Sequence, residues 1–442
     1  MRLFVLFITV AAAVVGFSKA RLLAADEWPQ FRGPDGQGHA DGAKLPLTWS
    51  ESEHVKWKTA IPGEGHSSPV ISGNQLWITT AITQALTEED KAARLAKVKD
   101  PNGLEIVGEL TLQAIQLNRE TGAVEQTVEL MKIAEPEPKH ALNSYASPTP
   151  VIVGDRLYCH FGTYGTVCVD RKSGKVLWKN DNLKLTHQNG PGSSPIVWND
   201  RVIVHLDGTD TQSIVALDAT TGELVWQTKR SGEMDSTPEL QKAYGTPLLV
   251  EIDDRPLLIS PAANWVYGYD ARDGKEIWKA SYGKLGFSTV PRPVILGDTV
   301  YVATSYMQSR LVAVKFTGEG DVTKSHVNWI SDKQIPQKPS LIALAGRLYF
   351  VSDNGIVRSL KADSGDEVWF ERLPGNYSAS PLESNGRLYF FNQDGVCTVL
   401  EAGDSFKELA SNKLEAGFMA SPAVAENALY LRTATSVYRI ED

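Results

Sequence analysis

A unit of about 45 residues repeats along this chain, and each copy opens with a proline. The eight opening prolines are Pro69, Pro150, Pro195, Pro247, Pro293, Pro339, Pro381 and Pro422. A repeat of this length is typical of solenoids and propellers, in which each unit buries its apolar face against its neighbours. The repeat therefore constrains the fold more than the length of 442 residues, which alone suggests two or three domains.

The unit from Ser147 to Trp178 contains four short runs with the length and the Val, Ile and Tyr content of β-strands. The runs are Pro150–Val153, Arg156–Phe161, Thr166–Asp170 and Lys175–Trp178, and breaks that carry Gly or Asp separate them. Four such runs joined by short turns predict an antiparallel meander. The sequence therefore predicts an all-β fold in which each repeat is a four-stranded blade.

The last repeat begins near Ser421 and contains only three strand-like runs. The run at 55–61 has no partner nearby in sequence, and it supplies the missing strand. Joining the two chain ends in one blade removes the sheet edges that an open array would expose. We therefore predict an eight-bladed β-propeller of four-stranded antiparallel blades. Strand 55–61 closes the ring in the C-terminal blade, and blade 1 carries one helical insertion.

Three segments are expected along the chain. Residues 1–25 contain one Arg, an apolar run and then small residues, as secretory signal peptides do, with cleavage after Ala25 or Ala20. Residues 26–53 form an extended leader rich in Gly and Pro, and residues 54–442 form the propeller. The predicted blades are 66–130, 145–182, 192–229, 245–281, 289–331, 337–373, 379–414, and 420–442 together with 54–61.

The insertion in blade 1 is expected at 82–110. Thr87 has the character of a helix N-cap, with Asp90 three residues later, and Asp100-Pro101-Asn102-Gly103 is expected to end the helix.

A tryptophan recurs at the end of the fourth strand of most blades. A large flat ring there is expected to fill the gap between neighbouring blades and to bury about 150–250 Å². Gln126 in blade 1 and Lys407 in blade 7 are aligned with this position, so those two seams are expected to be weaker. The tryptophans with this predicted structural role are Trp57, Trp178, Trp226, Trp278, Trp329 and Trp369.

The charge and the cysteines restrict the function and the compartment. A formal net charge of −9 without a basic run argues against nucleic-acid binding. No Cys follows the apolar run near the start, so we expect a soluble, exported monomer, periplasmic or extracellular, without a lipid anchor or a transmembrane span. Cys159 and Cys168 flank one hairpin, which leaves two states open: a disulfide, or buried free thiols.

The motif A-x-D-x-x-T-G-x-x-x-W, as in Ala216–Trp226, resembles the PQQ-like (pyrroloquinoline-quinone-type) repeat. That repeat builds the eight-bladed propellers of quinoprotein dehydrogenases and of BamB-like outer-membrane assembly proteins. The leader sequence WPQFRGPDGQG also resembles the start of secreted bacterial PQQ-like propellers. The resemblance is specific for the fold and weak for function, because one fold can carry an enzyme or a scaffold.

The resemblance implies two functions of different classes. The first is a non-catalytic, BamB-like binding scaffold for a protein or extended ligand in the cell envelope. The second is a PQQ-dependent oxidoreductase acting on an alcohol or sugar, which would need PQQ and calcium. Asp207 and Asp210 are the candidate calcium ligands, or alternatively the capping residues of a turn. The chain has no adjacent cysteines and no C-x-x-C-H motif, so we favour the scaffold and predict neither a cofactor nor a catalytic residue.

Small hydroxyl residues precede most of the opening prolines, but the alignment places Arg292 and Lys338 there in two neighbouring blades. Two cations side by side repel each other unless an anion offsets them. The candidates are a local carboxylate, Asp332 or Asp353, or an external anion bound by both cations. The sequence thus gives a candidate binding site for an anionic ligand at the channel mouth.

Overall fold

The structure is a computed structural model that describes residues 27–252, 254–284 and 286–442. The predicted signal peptide lies outside these residues. Across them, the strands form seven four-stranded antiparallel sheets, one five-stranded sheet and two short two-stranded sheets. The eight larger sheets are the blades, so the predicted eight-bladed propeller is confirmed. No helix in the described part of the chain is long and apolar enough to cross a membrane.

The strands follow the repeat, and their bounds in the first half of the chain are given by blade. The closing strand is β1 (Val55–Ala60). Blade 1 and its insertion contain β2 (Val70–Ser72), β3 (Gln75–Thr83), α1 (Glu88–Leu95), β4 (Leu104–Glu105), β5 (Leu110–Asn118) and β6 (Val124–Ile133). A linker strand, β7 (Lys139–His140), precedes blade 2, with β8 (Val151–Val153), β9 (Arg156–His160), β10 (Thr166–Asp170) and β11 (Val176–Asn180). Blade 3 contains β12 (Ile196–Trp198), β13 (Arg201–Asp207), β14 (Gln212–Asp218) and β15 (Leu224–Lys229). Blade 4 contains β16 (Leu248–Ile252), β17 (Arg255–Pro261), β18 (Trp265–Asp270) and β19 (Glu276–Ser281).

The second half of the chain continues in the same way. Between blades 4 and 5 lies β20 (Gly286–Phe287). Blade 5 and its insertions contain β21 (Val294–Leu296), β22 (Thr299–Ala303), β23 (Tyr306–Met307), β24 (Leu311–Lys315), β25 (Gly320–Asp321) and β26 (Val327–Ser331). Blade 6 contains β27 (Ile342–Leu344), β28 (Arg347–Val351), β29 (Ile356–Lys361) and β30 (Glu367–Arg372). Blade 7 contains β31 (Leu382–Ser384), β32 (Arg387–Phe391), β33 (Val396–Glu401) and β34 (Glu408–Lys413). Blade 8 contains β35 (Ala423–Ala425), β36 (Ala428–Arg432) and β37 (Ser436–Ile440), and the short 3-10 turns are Gly162–Tyr164 and Pro238–Leu240.

The two chain ends share one blade, as predicted. The sheet of blade 8 has the order β1-β37-β36-β35, and β1 pairs antiparallel with β37, with Lys58 opposite Tyr438. Blade 4 gains its fifth strand from β25, which pairs in parallel with β19.

The insertion in blade 1 contains the predicted helix, but the helix is shorter than expected. The Thr87 hydroxyl accepts a hydrogen bond from the backbone N–H of Asp90 at 3.1 Å, which confirms Thr87 as the N-cap. The helix ends at Leu95, so the prediction that Asp100–Gly103 terminates it is wrong. The residues around Gly103 instead lead into β4, which pairs with β7.

The apolar core lies at the seams between blades. The indole of Trp178 is in contact range of Gly222 in the next blade and donates a hydrogen bond to the Ala219 carbonyl at 3.1 Å. Trp57, Trp329 and Trp369 make corresponding bonds to carbonyls of the following blades. Within the part of the chain that the structure describes, the buried indole N–H groups of Trp226 and Trp278 have no hydrogen-bond partner.

The alignment of blade 7 at the tryptophan position was wrong. In blade 3, Trp226 pairs with Ala216, the last residue of its strand before a β-bulge. In blade 7, the last residue before the corresponding bulge pairs with Ala410. Ala410, rather than Lys407, therefore occupies the tryptophan position, because the β33–β34 turn is longer than its counterparts.

Cys159, Cys168 and Cys397 are all buried free thiols, so the disulfide alternative is wrong. Cys159 lies opposite Val167 and Cys168 lies opposite Tyr158. The two side chains enter different seams and do not meet.

Candidate functional site

A nearly continuous set of backbone-to-hydroxyl hydrogen bonds surrounds the channel where the innermost strands begin. In blade after blade, a backbone N–H donates to the side-chain hydroxyl of the equivalent residue in the next blade, at 2.9–3.1 Å. Seven of the eight steps carry such a bond, and the last one joins Ser421 of blade 8 to Ser68 of blade 1. We call this set the hydroxyl ring; its members are Ser68, Thr149, Ser194, Thr246, Arg292, Ser340, Ser380 and Ser421.

The ring corrects the predicted pair of cations. The backbone N–H of Arg292 donates to the Ser340 hydroxyl, so blade 6 contributes Ser340 at this position and Lys338 lies two residues before it. Arg292 is the one exception to the hydroxyl pattern. Arg292 and Lys338 therefore do not occupy equivalent positions, as the alignment on Pro339 had suggested.

The side chain of Arg292 is held by the leader. Its guanidinium donates to the Phe31 carbonyl at 2.5 Å, to the Gln30 side-chain oxygen at 3.3 Å and to the Pro247 carbonyl at 3.2 Å. The residue is only 2% exposed, and burial lowers its pKa to about 10. Arg292 thus fastens the leader to blade 5 and, in this structure, has no free face for an external anion.

The leader crosses the channel between blade 2 and blade 5. The Pro29 carbonyl accepts a hydrogen bond from Ile152 in blade 2, and two residues later the Phe31 carbonyl accepts one from Arg292 in blade 5. Blades 2 and 5 are three positions apart in a ring of eight, so a segment that contacts both must span the channel. The Phe31 side chain lines the central cavity.

The centre of the ring is a cavity of about 590 Å³. Six members of the hydroxyl ring line the cavity. Loops that lead into the first strands of the blades also line it. This volume is typical of a ligand site. Beyond the hydroxyl ring, the lining of the cavity includes charged, imidazole and apolar side chains: Phe31, His66, His140, Leu142, Lys242, Phe287, Val290, Tyr306, Lys338 and Asp353.

Lys242 is a buried cation that lines this cavity. It is 5% exposed, its ammonium donates a hydrogen bond to the side-chain oxygen of Gln188, and it lies 6.0 Å from the centre of the Phe287 ring. Among the described residues no carboxylate forms an ion pair with it; Glu239, which accepts from Lys99 at 3.0 Å, acts on Lys242 through its charge and raises its pKa. Burial lowers the pKa of Lys242 to about 8, so most of the ammonium remains charged at neutral pH.

The other titratable groups of the cavity leave it positively charged. Lys338 forms an ion pair with Asp353 at 3.2 Å, and Asp353 also accepts the backbone N–H of Lys338 at 3.2 Å. Burial lowers the pKa of His66 to about 3, and burial together with Lys338 lowers that of His140. Both imidazoles are therefore neutral at pH 7, and Lys242 and Lys338 face a single carboxylate.

Exposed apolar side chains surround the cavity mouth. Leu142, Val290 and Tyr306 are 53%, 37% and 50% exposed, respectively, and all three line the cavity. Tyr306 packs edge-on against Phe287 at a centroid distance of 5.6 Å. The mouth therefore combines apolar surface with the charge of the two lysines.

The predicted calcium ligands lie outside this cavity. Asp207 is completely buried in a two-pronged ion pair with Arg230, at 2.7 and 3.0 Å. Asp210 accepts the backbone N–H of Thr186 at 2.8 Å on an exposed loop. Asp207 is therefore a structural counterion and Asp210 bonds a neighbouring loop, and neither reaches the central site.

Comparisons with known proteins agree with this architecture. A family model described as "Outer membrane protein assembly factor BamB" matches residues 163–327. The outer membrane protein assembly factor BamB of Yersinia pestis is 23% identical, over an alignment that covers 60% of this chain and 76% of that protein. The chain is an eight-bladed propeller whose repeats are similar to those of PQQ-like proteins.

Solved structures show the same fold as this PQQ-like propeller. BamB from Moraxella catarrhalis aligns with a TM-score of 0.53 at 15% identity, covering 76% of this chain and all of that one. A europium-containing methanol dehydrogenase aligns with a TM-score of 0.66 at 11% identity, covering 93% of this chain and 90% of that one. At these identities the likeness concerns the fold alone, which BamB and a methanol dehydrogenase share.

Proposed function

We propose that this PQQ-like propeller is a non-catalytic binding module of the cell envelope whose central cavity binds an anionic segment of a protein or another extended ligand. The observation that carries the proposal is Lys242, a buried ammonium that lines a ligand-sized cavity and has no carboxylate ion-paired to it among the described residues. A buried charge is costly unless an opposite charge or hydrogen bonds compensate it. A ligand carboxylate would supply that compensation.

The shape of the site favours an extended ligand. The cavity opens through a mouth lined by Leu142, Val290 and Tyr306, where apolar side chains of a longer partner can pack. Lys338, further round the same cavity, can reach a second acidic group if its bond to Asp353 opens. A segment that combines acidic and apolar side chains matches both features.

The relatives support a binding role in the envelope. The Yersinia pestis relative is named as an outer membrane assembly factor. We propose that residues 1–25 export this chain, and that it acts as a monomer without a lipid anchor.

The alternative is a PQQ-dependent oxidoreductase, because the methanol dehydrogenase shares the fold over most of the chain. Calcium takes about six to eight oxygen ligands, several of them carboxylates. The described residues that line the cavity include one carboxylate, Asp353, which is already bonded to Lys338. These residues do not fit a calcium-bound quinone, so we favour the binding role.

Selection from a random peptide library tests the binding role. Sequences selected on the wild-type protein should be enriched in Asp and Glu, and a Lys242→Met variant should bind them at least about tenfold more weakly, the equivalent of 1.4 kcal/mol. Lys407→Met, at an exposed lysine on an outer turn, is the matched control. Selected peptides without acidic residues, or peptides that bind Lys242→Met unchanged, would contradict the proposal.

A second assay separates the two functions. Purified protein is mixed with PQQ and Ca²⁺, and quinone absorbance and dye reduction with alcohols and sugars are recorded. We expect neither stoichiometric binding nor turnover. One bound PQQ per chain with substrate-dependent dye reduction would establish the oxidoreductase instead.

A further inference from the structure

A second group of side chains with ligand chemistry lies where the leader meets blade 7, away from the central cavity. The Nδ1 atom of His39 is 2.7 Å from Oε2 of Glu383. One donor atom each from His39, Asp41 and Glu383 lies within 4.8 Å of the other two. Among the described residues, these three form the group of His, Cys, Asp or Glu side chains whose donor atoms converge within this distance.

The backbone builds this arrangement from two sides. The leader runs parallel to β31 here: the Glu383 N–H donates to the Gly38 carbonyl at 2.9 Å, and the Ala40 N–H donates to the Glu383 carbonyl at 2.8 Å. His39 lies at this parallel bridge, and Asp41 follows in a turn in which the Ala43 N–H donates to the Ala40 carbonyl at 3.2 Å. The main-chain bonds of the bridge and of the turn therefore hold His39 and Asp41 beside Glu383.

Glu383 is an unusual residue to find at this junction. Its side chain is 3% exposed, and its ion-pair partner among the described residues is the His39 imidazole. Its other oxygen accepts the Gly386 N–H at 2.8 Å. A buried carboxylate is costly unless charged or hydrogen-bonding partners compensate it, and a bound cation would add to the compensation that His39 and the Gly386 N–H give Glu383.

We propose that His39, Asp41 and Glu383 bind one divalent first-row transition metal ion, with Zn²⁺ as the representative ion. Imidazole and carboxylate are ligands that Zn²⁺ accepts at about 2.0–2.2 Å, which places donor atoms of one site roughly 3–4 Å apart. Small side-chain rotations bring the three donors to that spacing. Asp41 is exposed, so the site opens to solvent on that side and leaves a position for water.

Such an ion would staple the leader to the ring. His39 and Asp41 follow directly after the segment that spans the channel, and Glu383 belongs to the innermost strand of blade 7. Metal binding should therefore stabilise the docked leader, because the unfolded chain does not hold the three ligands together.

The test uses the full mature chain without a histidine tag, titrated with Zn²⁺ by calorimetry and with Co²⁺ by visible absorbance. We expect one ion per chain, with affinity lowered at least about tenfold in Asp41→Asn and in His39→Ala. Hydrogen exchange should slow in residues 36–43 when Zn²⁺ is added and should return to its original rate with a chelator.

His54 provides a matched control because it also lies between two carboxylates. Its Nε2 is 3.9 Å from Glu53 and its Nδ1 is 3.5 Å from Asp442, so the carboxylates face opposite ring nitrogens and cannot share one ion with it. His54→Asn, which tolerates the local φ of 62°, should bind Zn²⁺ like the wild type. Because Asp41→Asn changes an exposed side chain, its result can be interpreted even if His39→Ala misfolds. Absent binding, binding that Asp41→Asn leaves unchanged, or equal weakening in all three variants would overturn the proposal.

Discussion

Removing the hydroxyl of Ser68 should weaken the closure of the ring by a predictable amount. The Ser68 oxygen accepts the backbone N–H of Ser421, so Ser68→Ala leaves that N–H without its partner between blades 8 and 1. Both residues are buried, at 1% and 6% exposure. A buried donor left unsatisfied costs about 1–3 kcal/mol, and we expect a loss of that size in the free energy of unfolding.

The loss converts into a measurable shift of the melting temperature. Unfolding entropy of about 2.1 cal/mol/K per residue, over the roughly 390 residues of the propeller, gives about 0.8 kcal/mol/K, so Tm should fall by about 1–4 °C. Differential scanning calorimetry on Ser68→Ala and Ser68→Thr is the assay. Thr keeps the acceptor, as Thr149 and Thr246 do elsewhere in the ring, and should melt close to the wild type. Equal Tm values for the Ala variant and the wild type, or equal losses in Ala and Thr, would refute the role assigned to this bond.

Three further predictions concern charge and closure. Because burial lowers the pKa of Lys242 to about 8 and only the ammonium binds an anion, the affinity for acidic peptides should fall as pH rises through about 8. Affinity titrations of the selected peptides at several pH values should show this fall. Lys242→Met should abolish the pH dependence. Arg292→Ser should lower Tm because the variant loses the bonds to the leader. Lys338→Ser should leave Tm nearly unchanged but weaken the binding of acidic peptides. Equal Tm values for the two variants would contradict these different roles. Deleting residues 53–61 removes β1 and exposes an edge of β37. Unfolding should then lose cooperativity, and size-exclusion chromatography should show aggregates. A monomer that melts like the parent protein would show that closure does not depend on β1.

The blade number and the closure could be predicted because they depend on periodic local signals. Strand-length runs and turns mark the blades, most of which also end in a tryptophan, and an incomplete last repeat implies a strand elsewhere. Proline was a less reliable marker in blade 6. Pro339 precedes Ser340, whereas in the other blades the proline follows the ring residue. Counting back six residues from the Gly346 turn, as from Gly386 to Ser380, would have identified Ser340.

The central site was harder to predict because its parts come from segments far apart in sequence. Lys242 lies in an irregular linker without a repeat signal, and only the closed ring places it in the cavity. The role of Arg292 depends on the leader, about 260 residues earlier in the chain, whose path across the channel leaves no periodic trace. Asp207 looked like a metal ligand because Arg230, which neutralises it, is separated from it by a complete hairpin.

The leader that spans the channel also decides how a polymer can occupy the site. Phe31 lies at the floor of the cavity, and Arg292 fastens Gln30 and Phe31 to blade 5, so the docked leader obstructs the route through the centre of the ring on that side. A polypeptide cannot be threaded through such a ring while the leader is docked. It can enter only as a free end or as a bend inserted from the open side, and it must dissociate through that same side.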